Sequence, residues 1–98
     1  MDIKVNSVNF TPDKKLVSFV NEKVKKLQLF FDNITASEVF LKLDKDQEKE
    51  NKQAVIKILL PGKELLAKKQ CKTFEEATDL ACEALSRQVQ KHKGKLTD

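Results

Sequence analysis

The sequence contains no tryptophan and no tyrosine, one histidine, one methionine, and two residues each of glycine, proline and cysteine. Each shortage removes a class of function. Glycine is too scarce for a loop that cradles nucleotide phosphates, and no GxGxxG, Walker or HExxH spacing occurs. The single His92 has no serine or cysteine at motif spacing, so no nucleophile and base are paired and no enzyme is expected. Cys71 and Cys82 do not form a CxxC pair, which leaves a zinc site short of ligands and a disulfide framework short of partners. Both are expected to be small buried hydrophobes, and no metal or cofactor is expected. No uninterrupted apolar run is longer than that of Ile58, Leu59 and Leu60, far below the roughly 20 residues of a membrane helix. The start, Met1-Asp2-Ile3-Lys4, lacks the basic and apolar regions of a secretory signal, so a cytoplasmic address is expected.

What is present is charge. Of 98 residues, 35% are charged and 40% hydrophobic, enough apolar content for one modest core under a strongly ionic surface. One soluble domain over residues 1–98, monomeric when free, is the expectation. The 19 basic and 15 acidic residues leave a net charge of +4, which favours a polyanionic partner without naming one.

Periodicity supplies the organisation. Ile3 and Val5 alternate with polar residues as a first strand, and Val8 and Phe10 resume the pattern with a phase shift that would suit a bulge. Thr11-Pro12-Asp13 reads as a helix start, with Thr11 as N-cap and Pro12 in the first turn. Leu16, Val20, Val24, Leu27 and Phe31 form an apolar stripe widened by Phe19 and Phe30, so the helix runs to about Phe31. Lys23 falls inside this arc and should lay its stem over the core edge. After Asp32-Asn33, Val39, Leu41 and Leu43 alternate as a second strand with Phe40 on its outer face. Lys45 to Gln53 is wholly polar and reads as a solvated connection. Ala54, Ile56, Ile58 and Leu60 share one face of a third strand. Pro61-Gly62 turns the chain, and Leu65, Ala67 and Cys71 mark a fourth strand interrupted by Lys69. Thr73-Phe74-Glu75-Glu76 has capping-box spacing. Phe74, Ala77, Thr78, Ala81, Cys82, Leu85, Val89 and Leu96 then form one side of a second helix, with His92 toward the same side. The order β-α-β-β-β-α predicts an α+β fold: a right-handed parallel crossover, two antiparallel hairpins, and a four-stranded mixed sheet carrying both helices on one face.

The second helix is polarised in charge. Glu75, Glu76, Asp79 and Glu83 occupy its first half, and Arg87, Lys91, Lys93 and Lys95 its second. Complementarity to the helix dipole accounts for charges near the ends. Arg87 is too far from either end for that, and Arg87, Lys91 and Lys95 advance by fours as a ridge suited to phosphate. The first helix is basic as well, through Lys14, Lys15, Lys23, Lys25 and Lys26. Two basic helices side by side would frame a phosphate groove if their order on the sheet turned Lys23 and Lys26 toward Arg87 and Lys91. The phenylalanines occupy core phases, leaving Phe40 as the one candidate for stacking on bases. A general structured-RNA-binding domain and a protein-interaction module using the outer sheet face are the alternatives to a dedicated RNA target.

Three stretches carry a family resemblance. Lys26-Leu27 through Phe31-Asp32-Asn33-Ile34 resembles a KLxxYFDxI pattern, and Val39 to Lys45 resembles VxLKxxK. Leu85-Ser86-Arg87-Gln88-Val89-Gln90-Lys91-His92-Lys93-Gly94-Lys95-Leu96 resembles LxRQLxKHKxKL. These patterns are those of the bacterial ribosome hibernation promoting factors and ribosome-associated inhibitors, also called sigma-factor modulation proteins, and the short form is the nearest in length. The resemblance implies a fold laid out like double-stranded RNA-binding domains. It implies binding to the small ribosomal subunit and its rRNA at the decoding region, with steric blocking of the tRNA and mRNA sites in stationary phase or stress. Carried onto this chain, the family's rRNA-binding positions are Lys23, Lys26, Arg87, Lys91 and Lys95. Ala84 departs from the family, whose members often have lysine there. The chain also stops short of the dimerisation domain of long forms, so a separate ribosome modulation factor is the expected partner for any ribosome pairing.

Overall fold

The computed structural model describes residues 2–46 and 48–97, except the side chains of residues 92–97. Six elements follow in the expected order: β1 (Asp2–Val8), α1 (Lys14–Phe30), β2 (Ala36–Leu43), β3 (Lys52–Leu60), β4 (Lys63–Cys71) and α2 (Phe74–Thr97). The sheet order is β1-β2-β3-β4. β1 and β2 are parallel, joined across α1, and the remaining pairs are antiparallel.

The register explains why alternation was a good guide. Val5, Val39, Ile56 and Ala67 lie abreast across the four strands, as do Ile3, Ser37, Ile58 and Leu65. Side chains of a strand alternate between faces, so these rows point to one side and form the floor of the core. Lys69 lies in such a row with Ser7, Leu41 and Ala54, at the end of the sheet where it is only half-buried. The intervening rows, Lys4-Glu38-Lys57-Leu66 and Asn6-Phe40-Val55-Lys68, form the outer face.

Both helices lie on the inner face. α2 packs over β4 and β3, and α1 lies beside α2 and against β1. Leu16, Val20, Val24, Leu27 and Phe31 meet Ala77, Ala81, Leu85 and Val89 in one buried cluster. Gln28 is a polar residue outside the apolar stripe of α1. It is nonetheless buried, and its side-chain amide donates to the Ser37 hydroxyl at 3.0 Å. That bond satisfies a polar group in the core and ties α1 to β2.

Three local expectations need correction. The N-cap of α1 is Asp13, whose carboxylate accepts from the Leu16 amide at 2.8 Å. Aspartate caps as well as threonine does, and a start at Asp13 leaves Pro12 ahead of the helix. β1 has no bulge, because its pairing with β2 is unbroken to Val8. The phase change comes from Asn9, whose φ of 72° turns the chain through the left-handed region, a conformation asparagine tolerates better than most residues. Phe10 is thereby delivered onto Phe74, with ring centroids 4.5 Å apart and planes within 9°. Finally, Phe30 is 78% exposed rather than part of the core. It lies on the flank of α1 facing α2, which lines the intervening cleft with Asp79, Cys82, Glu83 and Ser86. These side chains are too short or too polar to cover a ring.

At the start of α2 the Thr73 hydroxyl accepts from the Glu76 amide at 3.1 Å, as the capping box predicts. Leu96 and His92 belong to the expected apolar side, but their side chains lie outside the described residues.

Candidate nucleic-acid interface

The basic residues divide between two flanks of the helical layer. On the flank between α1 and α2 runs an open cleft of about 300 Å³, lined from α1 by Lys23, Lys26 and Phe30 and from α2 by Asp79, Glu83 and Ser86. Lys23 is one-third exposed, and its ammonium sits 3.0 Å from the Asp79 carboxylate. It also lies 5.5 Å from the centre of the Phe19 ring one turn earlier. Lys23 therefore lays its stem over the core edge as expected, but its charge is met within the fold. With Asp79 and Glu83 as the opposing wall, this cleft is not the doubly basic groove that two cationic helices would frame.

Lys26 is exposed and, among the described residues, has no ion-pair partner. So is Lys25 beside it. Lys26 lines the α1 side of the cleft, while Lys25 turns away toward Asn21 and Glu22.

Arg87 and Lys91 occupy the other flank of α2. The Gln88 side chain donates to the Leu66 carbonyl of β4 at 3.3 Å, which marks the side of the helix that faces β4. The 100° step then carries Lys91 to the β4 side and Arg87 outward, both turned from Ser86 and Cys82 on the cleft side. Both are exposed, and neither has an ion-pair partner among the described residues. The structure thus brings Arg87 and Lys91 together, brings Lys23 and Lys26 together, and separates the two pairs. Strand order is the cause: α1 rests toward β1 and α2 toward β4, so only one flank of each helix faces the other. Lys95 continues the ridge by sequence, but its side chain lies outside the described residues.

Sequence reasoning passed over Lys63 and Lys68 of β4, both exposed on the edge strand; Lys63 is in phase with the face that carries α2, whereas Lys68 belongs to an outer-face row. Their signal was the basic character of the KELLAKKQCK stretch, which the apolar alternation obscured. Ala84 lies one turn before Gln88 on the Arg87–Lys91 flank, half-buried, where a lysine would have extended the ridge.

The titratable groups near the cleft do not form a reactive constellation. Burial and the neighbouring Asp79 carboxylate push the Cys82 thiol up to about 11, with Lys23 acting weakly in the other direction. On the outer face, hydrogen bonds to Glu38 and Glu64 raise Lys57 above the usual lysine value, at 3.3 Å and 3.5 Å. Glu38 also accepts from Asn6 at 3.2 Å, so one polar network ties all four strands. Among the described residues no three His, Cys, Asp or Glu side chains are grouped to hold a metal ion, and no helix is long and apolar enough to cross a membrane.

Comparison with known proteins places this arrangement. Residues 3–97 match the family described as Sigma 54 modulation protein / S30EA ribosomal protein. A ribosome hibernation promoting factor of Pseudomonas putida is 30% identical over 95 residues, covering 97% of this chain and 89% of that one. Its counterpart from Azotobacter vinelandii is 28% identical, covering 97% and 85%. A ribosomal subunit interface protein from Coxiella burnetii has the same fold, with a TM-score of 0.85 at 20% identity over 96% of this chain and 99% of that one. The N-terminal domain of Thermus thermophilus Protein Y superposes with a TM-score of 0.78 at 24% identity, over 94% and 99%. A match spanning nearly the whole sequence, with relatives aligned over most of their own length, establishes that this chain belongs to the Sigma 54 modulation protein / S30EA ribosomal protein family.

Proposed function

We propose that this chain is a ribosome-binding translation inhibitor of the hibernation type. It docks on the small subunit at the decoding region and obstructs the tRNA and mRNA sites in stationary phase or stress. The observation that carries the reading is the exposed Arg87–Lys91 ridge, without ion-pair partners among the described residues, on a chain whose relatives are named ribosome hibernation promoting factors. Cationic side chains without partners in the fold are suited to RNA phosphates, whose neutralisation releases counterions. Lys26 supplies a second, separate contact, and Lys23 is the weaker candidate because Asp79 already meets its charge. Inhibition is by occupation of space, with no bond made or broken by the protein.

Co-sedimentation with purified small subunits, whole ribosomes and a control RNA duplex, across a salt series, tests the proposal. Saturable binding to subunits and ribosomes at physiological salt, with the duplex left in the supernatant, is the expected result. Equal binding to the duplex would make the chain a general RNA-binding domain, and absence from the ribosomal pellet would overturn the proposal. A protein-interaction module using Phe40, Val55 and Leu66 on the outer sheet face would instead bind with little response to salt.

A further inference from the structure

A phenylalanine in core phase stands in solvent at the end of α1. Phe30 is 78% exposed and its neighbour Leu29 is 71% exposed. Single exposed apolar side chains are common on protein surfaces; what distinguishes Phe30 is its place in the wall of a cleft whose lining includes Lys26, Glu83 and Ser86. The ring is also braced: it meets the buried Phe31 ring at 6.5 Å with a tilt of 46°, leaving most of its area free.

The surroundings identify what would cover it. Lys26 lies one helical turn before Phe30, exposed and unpaired among the described residues. Across the cleft stand the Ser86 hydroxyl and the Glu83 carboxylate. An apolar protein partner would be poorly served by this rim of ammonium, hydroxyl and carboxylate groups. A nucleotide uses each of them: the base lies on the ring, its polar edge meets the hydroxyl or carboxylate, and its phosphate meets the ammonium. Phe40 is the poorer platform, half-buried between Asn6 and Val55 in the sheet.

We infer that Phe30, with Lys26 behind it and Ser86 across the cleft, is a stacking platform for an unpaired base of the RNA on which the chain sits. The inference rests on the ribosomal reading for the identity of that RNA and on the cleft for its chemistry.

The absence of tryptophan provides the test. Phe30→Trp places a single indole on the platform, and titration with short single-stranded RNA oligomers should quench its emission saturably. Phe40→Trp should not respond. In small-subunit binding, Phe30→Ala should weaken affinity about 10-fold, within the range measured for loss of one stacked base. Phe30→Tyr should bind as the parent does, and unchanged thermal melting would show that the ring is not needed for folding. Unquenched Phe30→Trp, together with Phe30→Ala binding like the parent, would overturn the platform and leave the ribosomal reading intact. Full affinity in Phe30→Leu would also overturn it, because an apolar contact with a protein needs no aromatic face. An emission shift that depends on protein concentration without RNA would assign the patch to a second copy of this chain. If the parent fails to bind subunits, the ribosomal reading falls and the oligomer titration decides the platform by itself.

Discussion

Replacing Arg87 and Lys91 together by alanine should flatten the salt dependence of ribosome binding by a calculable amount. Both side chains are exposed, and neither has an ion-pair partner among the described residues, so each is free to neutralise one phosphate. A contact contributes about 0.7 to 0.9 to the slope of log affinity against log salt, so two contribute about 1.4 to 1.8. Between 50 and 200 mM salt the parent should therefore lose roughly 7- to 12-fold more affinity than the double variant. Lys23→Ala is the internal control. Its ammonium lies 3.0 Å from Asp79, and its removal should change the slope much less than loss of Lys26. The assay is equilibrium binding of labelled protein to small subunits in a potassium chloride series at fixed magnesium. Folding is not expected to confound it, since exposed substitutions away from special features usually stay within about 0.5 kcal/mol. An unchanged slope in the double variant would refute the phosphate role of the ridge. Equal flattening by Lys23→Ala would refute the argument that Asp79 already occupies that charge.

Other consequences follow from the core and the titratable groups. Leu85 is fully buried where α2 meets the sheet, and Leu85→Ala should destabilise the fold by about 2 to 5 kcal/mol in urea denaturation. Lys57 has its folded value raised by Glu38 and Glu64. Its contribution is therefore complete below the usual lysine value and disappears as pH rises through the folded one. Stability measured through alkaline pH should accordingly fall less steeply in Lys57→Met than in the parent. The Cys82 thiol, raised from 9.0 to about 11, should alkylate at pH 8 roughly 100-fold more slowly than an unperturbed cysteine, because only the thiolate reacts. Mass-spectrometric timing against the denatured chain measures this, and equal rates would contradict the assigned burial.

The elements were legible where one local rule decided them. Two-residue alternation placed Val39, Leu41, Ile56 and Ile58 on the inner face because strand geometry allows no other assignment once the core side is chosen. The Thr73 cap was readable because threonine and the glutamate three residues later act within one turn. At the first helix two good caps stood close together, and nothing local chose Asp13 over Thr11. The exposure of Phe30 and the burial of Gln28 escaped the pattern for a different reason. A helical wheel gives the angle of a side chain, but burial depends on what the neighbouring element offers there. β2 offers Ser37 to Gln28, while α2 offers Phe30 no apolar surface. The separation of Lys26 from Arg87 was likewise beyond reach, because the lateral order of strands sets the order of helices and leaves no mark on either helix's periodicity.

The charge polarity of α2 takes on its meaning in three dimensions. Glu75 and Glu76 lie in the first turn, where the helix dipole favours them, and Asp79 is joined to Lys23 of α1. Much of the acidic half is thus accounted for inside the fold. Arg87 and Lys91 are not: Arg87 is several turns from the N-terminus and short of the last turn, and neither side chain meets an acid among the described residues. Gln88, between them, links this part of the helix to the β4 edge by a hydrogen bond, while neither charge has an ion-pair partner among the described residues. A cation that served only solubility would need no such link. Gln88→Ala should therefore leave both charges in place yet weaken subunit binding, by loosening the helix against β4, and should do so without reducing the salt slope. A reduced slope would show that Gln88 acts through the number of phosphate contacts instead of through their positioning.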